Sequence, residues 1–73
     1  NDDKGNVVNG NVVTVNTENC VIEGDKKLIA TVGLRDMIIV DTPDATLVST
    51  KENAGEIKQV LAKLREEGKN QYL

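Results

Sequence analysis

The sequence predicts a mainly β fold with one C-terminal helix, either a short β-helix-like coil or a small β-sheet module. Three observations lead there. Apolar pairs recur at even spacing, turn-forming residues stand between them, and the last third of the chain changes to helical periodicity. The pairs are Val12 with Val13, Val21 with Ile22, Leu28 with Ile29, Ile38 with Ile39, and Leu47 with Val48. Steps from Val12 to Val21, Ile29, Ile38 and Leu47 are 9, 8, 9 and 9 residues. Short strands at that interval, separated by turn signals, read as an all-β sheet, barrel or coil. The turn signals are Asn9 with Gly10, the run Glu23, Gly24, Asp25, then Gly33, and Thr42, Pro43, Asp44.

Each element has its own reason. Residues 1–6, NDDKGN, are polar and read as a frayed start. Gly24, Asp25, Lys26 and Lys27 read as a hairpin loop. The intervals are too short for crossover helices, so β-α-β units are excluded. The spacing fits both an antiparallel meander and a small parallel β-helix. From Asn53 onward, Ile57, Val60, Leu61 and Leu64 fall at i, i+3, i+4 and i+7, one face of a helix. Asn53 and Glu56 make a capping-box-like start, with Gly55 a weak point near the first turn. Gly68 is the stop, with Lys63 and Arg65 in the last turns. Residues 1–73 thus form one module, with strands over about 7–49 and a helix over about 53–67. The helix must lay its stripe on the sheet or on another domain.

The chain has 73 residues, one small domain. A domain this short buries only roughly 60% of its unfolded surface. Tyr72 is the one aromatic, so the core must be Val, Ile, Leu and Ala, without the rings that usually dominate burial. Help from a partner surface or a second copy is expected. The first residue is Asn, so the sequence reads as a processed protein or an excised piece. No stretch reaches the apolar length of a membrane span, and no basic-then-apolar leader is present. Lys and Arg number 9 against 12 acids, a net charge of −3, which argues against nucleic acid.

Candidate chemistry is sparse. Cys20 is alone beside Val21 and Ile22, which suits a buried structural thiol better than a nucleophile. A nucleophile wants a His as base, and there is no His; Cys/His zinc sites fall on the same count. In residues 37–50, MIIVDTPDATLVST, Asp41 and Asp44 flank Thr42 and Pro43. Two carboxylates and a hydroxyl there suit a metal or an acid–base pair. They also suit a tight corner, which Pro43 favours, and too few groups converge for a metal. Arg35, in Gly33, Leu34, Arg35, Asp36, suits a phosphate or carboxylate, or a structural pair with Asp36 or a neighbouring domain. Lys26 and Lys27 are the only basic doublet, read as solvated rather than as a phosphate site. No Gly-rich phosphate loop opens a helix. No residue is assigned a catalytic, cofactor-binding or metal role.

Residues 10–22, GNVVTVNTENCVI, resemble the "GDV…D…NC.I" run of mannose-1-phosphate guanylyltransferases. Residues 28–48, LIATVGLRDMIIVDTPDATLV, resemble the next segment of that family, and IKQVL through QYL resembles the helix and ending of its short members. The resemblance spans roughly residues 5–73. Asn11 and Asn16 stand where many members have Asp, and the strand spacing departs from a hexapeptide repeat. The resemblance implies an enzyme making GDP-mannose and pyrophosphate from GTP and mannose 1-phosphate with a divalent metal such as magnesium. It places that chemistry in a large N-terminal α/β domain whose motifs are absent here. This chain then corresponds to a C-terminal fragment, similar to a short left-handed β-helix that packs on the catalytic domain and joins subunits.

The expected role is docking and homo-oligomerisation in a cytoplasmic parent enzyme, with no cofactor held by this segment and no nucleic-acid or membrane partner. GTP and mannose 1-phosphate would be met only through the catalytic domain. The competing readings are a stand-alone β carrier modified at Lys26 or Lys27, and an interaction module of an unrelated protein.

Overall fold

The computed structural model describes residues 2–69 and 71. Asn1, Asn70, Tyr72 and Leu73 lie outside the described residues, and with them the single aromatic. Six strands come first: β1 (Val7–Asn9), β2 (Val12–Val15), β3 (Val21–Glu23), β4 (Ile29–Val32), β5 (Met37–Asp41) and β6 (Thr46–Thr50). A 3₁₀ turn (Ala54–Glu56) leads into helix α1 (Ile57–Glu66).

The strands alternate between two sheets. One sheet runs β1-β3-β5-β6 and the other is β2-β4. Pairing of β1 with β3, β3 with β5, and β2 with β4 is parallel. The chain therefore winds as a coil, and the 8–9-residue interval in the sequence is half a winding. Parallel neighbours need a crossover; here residues 10–20, carrying a strand of the other sheet, supply it instead of a helix. The coil ends when Pro43 helps turn the chain back and β6 pairs antiparallel with β5, Ile39 opposite Val48.

The reading of residues 24–27 as a hairpin loop is overturned. β3 and β4 lie in different sheets, and both neighbours of β3 are parallel to it. The segment is a corner between sheets. The corresponding corner one winding earlier has two residues, 10–11, whereas this one has five, 24–28. That difference explains why Val7 pairs with Val21, 14 residues on, while Val12 pairs with Ile29, 17 on. The tight corner rests on the wide one: a Cβ on Gly10 would stand 2.8 Å from the Gly24 carbonyl oxygen.

Corner conformations repeat in register. Gly5, Asn19 and Asp36 stand two residues before the paired positions Val7, Val21 and Ile38, and all three have left-handed φ, +79°, +52° and +57°. Asn and Asp tolerate that region better than other side-chain-bearing residues. Asn19 Nδ2 donates to Asp36 Oδ1 at 2.7 Å, and Lys51 Nζ donates to Asn19 Oδ1 at 3.0 Å, tying the column together.

The interior is narrow. Cys20, Ile22 and Ile39 are buried, with Val8, Val12, Ile29, Leu34 and Met37 packed around them. Polar groups fill the rest, because corner N–H groups have no ladder partner and need one from a side chain. Asn6, one residue before β1, accepts from the Cys20 N–H at 2.8 Å and donates to the Thr17 carbonyl at 2.7 Å and to Asp2 Oδ2 at 2.9 Å. One winding later, Cys20 Sγ accepts from the Met37 N–H at 3.4 Å and donates to the Glu18 carbonyl at 3.3 Å. Thr17 and Thr31 hydroxyls meet at 2.8 Å. Among the described residues every buried side-chain nitrogen and oxygen has a partner.

The helix begins later than the capping pattern implies. Asn53 makes no side-chain cap; it donates from Nδ2 to the Glu56 carboxylate instead of accepting a backbone N–H. Thr50 takes over, its Oγ1 accepting from the Asn53 N–H at 3.1 Å and donating to Asn53 Oδ1 at 2.8 Å. With Gly55 in the first turn, that turn is 3₁₀ and α1 starts at Ile57. The far end follows the sequence. Gly68 has φ +72°, its N–H reaches the Arg65 carbonyl at 3.2 Å, and the Lys69 N–H reaches the Leu64 carbonyl at 2.7 Å. That pair of bonds is a Schellman stop.

Candidate functional site

The candidate acid pair does not converge. Asp41 ends β5 pointing inward, 7% exposed, and accepts from Thr46 Oγ1 at 2.6 Å. Lys27 Nζ lies 3.5 Å from the same carboxylate oxygen, so the wide corner reaches across to the hairpin. Asp44 is an exposed turn residue. The turn is closed by Thr42, whose N–H donates to the Ala45 carbonyl at 2.9 Å and whose Oγ1 accepts from the Ala45 N–H at 3.2 Å. Among the described residues no three His, Cys, Asp or Glu side chains are grouped to hold a metal.

Arg35 pairs with Glu18 at 3.4 Å, one winding away, and not with its neighbour Asp36. The pair is exposed, so its contribution is on the order of 0.2–1 kcal/mol. Asp36 serves the corner column instead. Cys20 is fully buried and free, spent on the interior bonds above.

Two apolar surfaces stand out. The first is the outer face of β2 and β4. Strand alternation turns Val12, Thr14, Ile29 and Thr31 toward the interior and Val13, Val15, Ala30 and Val32 outward. The register sets Val13 beside Ala30 and Val15 beside Val32. Val13, Val15 and Val32 are 54%, 50% and 70% exposed, and Leu28 extends the patch. A strand apolar on both faces is the mark of a sheet covered on both sides. The residues were legible as apolar pairs; which member of each pair faces out depends on the register.

The second is a groove of about 560 Å³ between the β5–β6 hairpin and α1. Val40 and Leu47 form one wall and Ile57, Val60, Leu61 and Leu64 the other, with Thr42, Asp44, Thr46 and Lys69 on it as polar members. The helix stripe thus faces the sheet across an open channel, and α1 buries none of its residues. No helix among the described residues is long and apolar enough to cross a membrane.

Comparison with known proteins places this geometry. The chain is 37% identical over 70 residues to the alginate biosynthesis protein AlgA of Pseudomonas putida, covering 96% of this chain and 14% of that protein. It is 37% identical over 71 residues to mannose-1-phosphate guanylyltransferase of Klebsiella pneumoniae, covering 97% and 15%. Among solved structures, the crystal structure of mannose-1-phosphate geranyltransferase from Thermus thermophilus superposes with a TM-score of 0.79 at 31% identity, over 89% of this chain and 20% of that one. The chain thus spans about 15% of the length of the curated relatives it matches. Residues 10–64, from the corner after β1 to Leu64 of the groove-lining helix, match the family model of the MannoseP isomerase/GMP-like beta-helix domain, and the chain belongs to that family.

Proposed function

We propose that this chain is the C-terminal accessory and oligomerisation domain of an enzyme that transfers GMP from GTP to mannose 1-phosphate. The observation that carries the reading is the uncharged outer face of β2 and β4, four small apolar side chains in register on a sheet that none of the described residues covers. In a chain with this small a core, such a face serves docking onto a catalytic domain or onto a second subunit. The size relation to the guanylyltransferases supports the same reading, since most of their length lies outside the matched segment.

On this reading the GTP and sugar sites, and any magnesium, belong to the catalytic domain, and the parent enzyme works in the cytoplasm. Purified 73-residue chain is expected to release no pyrophosphate from GTP and mannose 1-phosphate in the presence of magnesium. Steady turnover above a buffer blank would refute the assignment of this segment as accessory.

A further inference from the structure

The turn from β1 into β2 carries a chemistry that docking does not use. Asn9 ends β1 and Gly10 opens the two-residue corner, the single Asn-Gly step in the sequence. We propose that Asn9 is a site of covalent modification, where water converts the side-chain amide through a cyclic imide to aspartate and isoaspartate, and that these products unlock the β1–β2 corner.

Three observations carry this. First, the attacking atom is the Gly10 nitrogen, and Gly10 has no Cβ to hold it off the Asn9 side chain. The other described asparagines precede Val7, Val12, Thr17, Cys20 and Ala54, all with side chains. Second, the fold leaves that nitrogen free. The Asn9 carbonyl accepts from the Gly24 N–H at 2.8 Å, on the β3 side. In a trans peptide the Gly10 N–H then points the opposite way, past the open edge of β1, and it meets no backbone carbonyl among the described residues. Asn9 and Gly10 are both exposed. Asn6, by contrast, is buried with its amide bonded to Asp2 and Thr17, and Asn19 is held by Asp36 and Lys51. Third, the products do not fit the corner. Asn9 Nδ2 donates to Glu23 Oε1 at 3.2 Å, and the two residues are register partners. Either product replaces that donor with a carboxylate beside Glu23, a like-charge pair across neighbouring strands. Isoaspartate also lengthens the backbone by an atom where Gly10 is already seated against Gly24.

The conversion is redox-neutral. Hydroxide takes the Gly10 amide proton, the nitrogen bonds to Asn9 Cγ, and the Cγ–Nδ2 bond breaks to release ammonia. Water then opens the imide. Cleavage of the new Cγ–N bond gives aspartate, and cleavage at the main-chain carbonyl gives isoaspartate.

The experiment is a timed incubation of the folded 73-residue chain in neutral and in mildly alkaline buffer. Tandem mass spectrometry of its peptides locates the conversion, and enzymatic methyl transfer counts isoaspartate. Asn9 is expected to convert before any other asparagine, and faster in the alkaline buffer. Asn9→Gln should remove the early isoaspartate signal. The isoaspartate fraction, once separated, should melt roughly 4–8 °C below the fresh chain. A folded chain whose Asn9 stays intact over the time that converts it in the urea-unfolded chain would overturn the proposal. So would another asparagine converting first, or a converted fraction that melts like the fresh chain.

Discussion

Ile22→Ala should lower the stability of the chain by about 2–5 kcal/mol, the range for deleting a large buried aliphatic side chain. Ile22 is fully buried and central in the register, with Val8 beside it on β1 and Ile39 on β5. No ring stands in the buried cluster to swing into the space, and the parallel ladder on both sides holds the backbone. The cavity therefore stays open and its cost is added to the lost transfer energy. For 73 residues the total stability is on the order of 4–11 kcal/mol, so much of it is at stake. Urea denaturation followed by circular dichroism reads the change as a lower midpoint. A loss below about 1 kcal/mol would mean that Ile22 does not face a closed interior.

Asn6→Ala should cost about 2–4 kcal/mol through a different route, because buried partners left unmade cost roughly 1–3 kcal/mol each. The Cys20 N–H and the Thr17 carbonyl both lose their partner, and both sit where the coil turns between sheets. Asn6→Asp should not rescue. It keeps an acceptor for Cys20 but loses the amide donor and sets a carboxylate against Asp2. The same side chain governs acid behaviour. Hydrogen bonds from the Asn6 side chain and backbone hold the Asp2 carboxyl below its ordinary value of 3.8. A lowered folded pKa adds stability that is present above 3.8 and is lost as pH falls through the lowered folded value. Titrating stability below about pH 4 should show that loss in the parent chain and a smaller one in Asn6→Ala, whose Asp2 lacks the side-chain bond. Equal acid sensitivity in both would contradict the clamp.

How far the sequence reveals this fold differs by element. The helix stripe of Ile57, Val60, Leu61 and Leu64 was legible because a 3.6-residue period is local. The Gly68 stop was legible for the same reason. Five of the six strands were legible as apolar pairs, all but β1, yet their pairing was not. In a parallel coil each strand meets a partner 14 or 17 residues away, and the half-winding spacing of 8–9 looks the same in a meander. One signal could have separated them. Asn16 recurs as Gly33 and Asn19 as Asp36, each 17 residues on, and all four take left-handed φ.

The candidate site was less legible still. Asp41 reads as a corner acid beside Pro43, but β5 alternation carries it inward with Met37 and Ile39. Its cation, Lys27, comes from a corner widened by three residues, which only the register explains. Arg35 likewise finds Glu18 through the winding and not through its neighbours. At the helix start, Asn53 and Glu56 fit the capping pattern, yet Thr50 competes for Asn53 and wins. The outer β2–β4 face was half legible, since paired valines announce a strand apolar on both sides without saying what lies over it.

Sedimentation equilibrium over a wide concentration range tests the docking account most directly, comparing the parent chain with Val15→Lys/Val32→Lys. The two valines are neighbours on the outer face and touch neither the interior nor the groove. The account expects the parent chain to self-associate as concentration rises, because the face then finds a second copy. The double variant should stay monomeric with an unchanged circular dichroism spectrum. A parent chain that remains strictly monomeric at the highest concentration, or a double variant that associates as strongly as the parent, would contradict it.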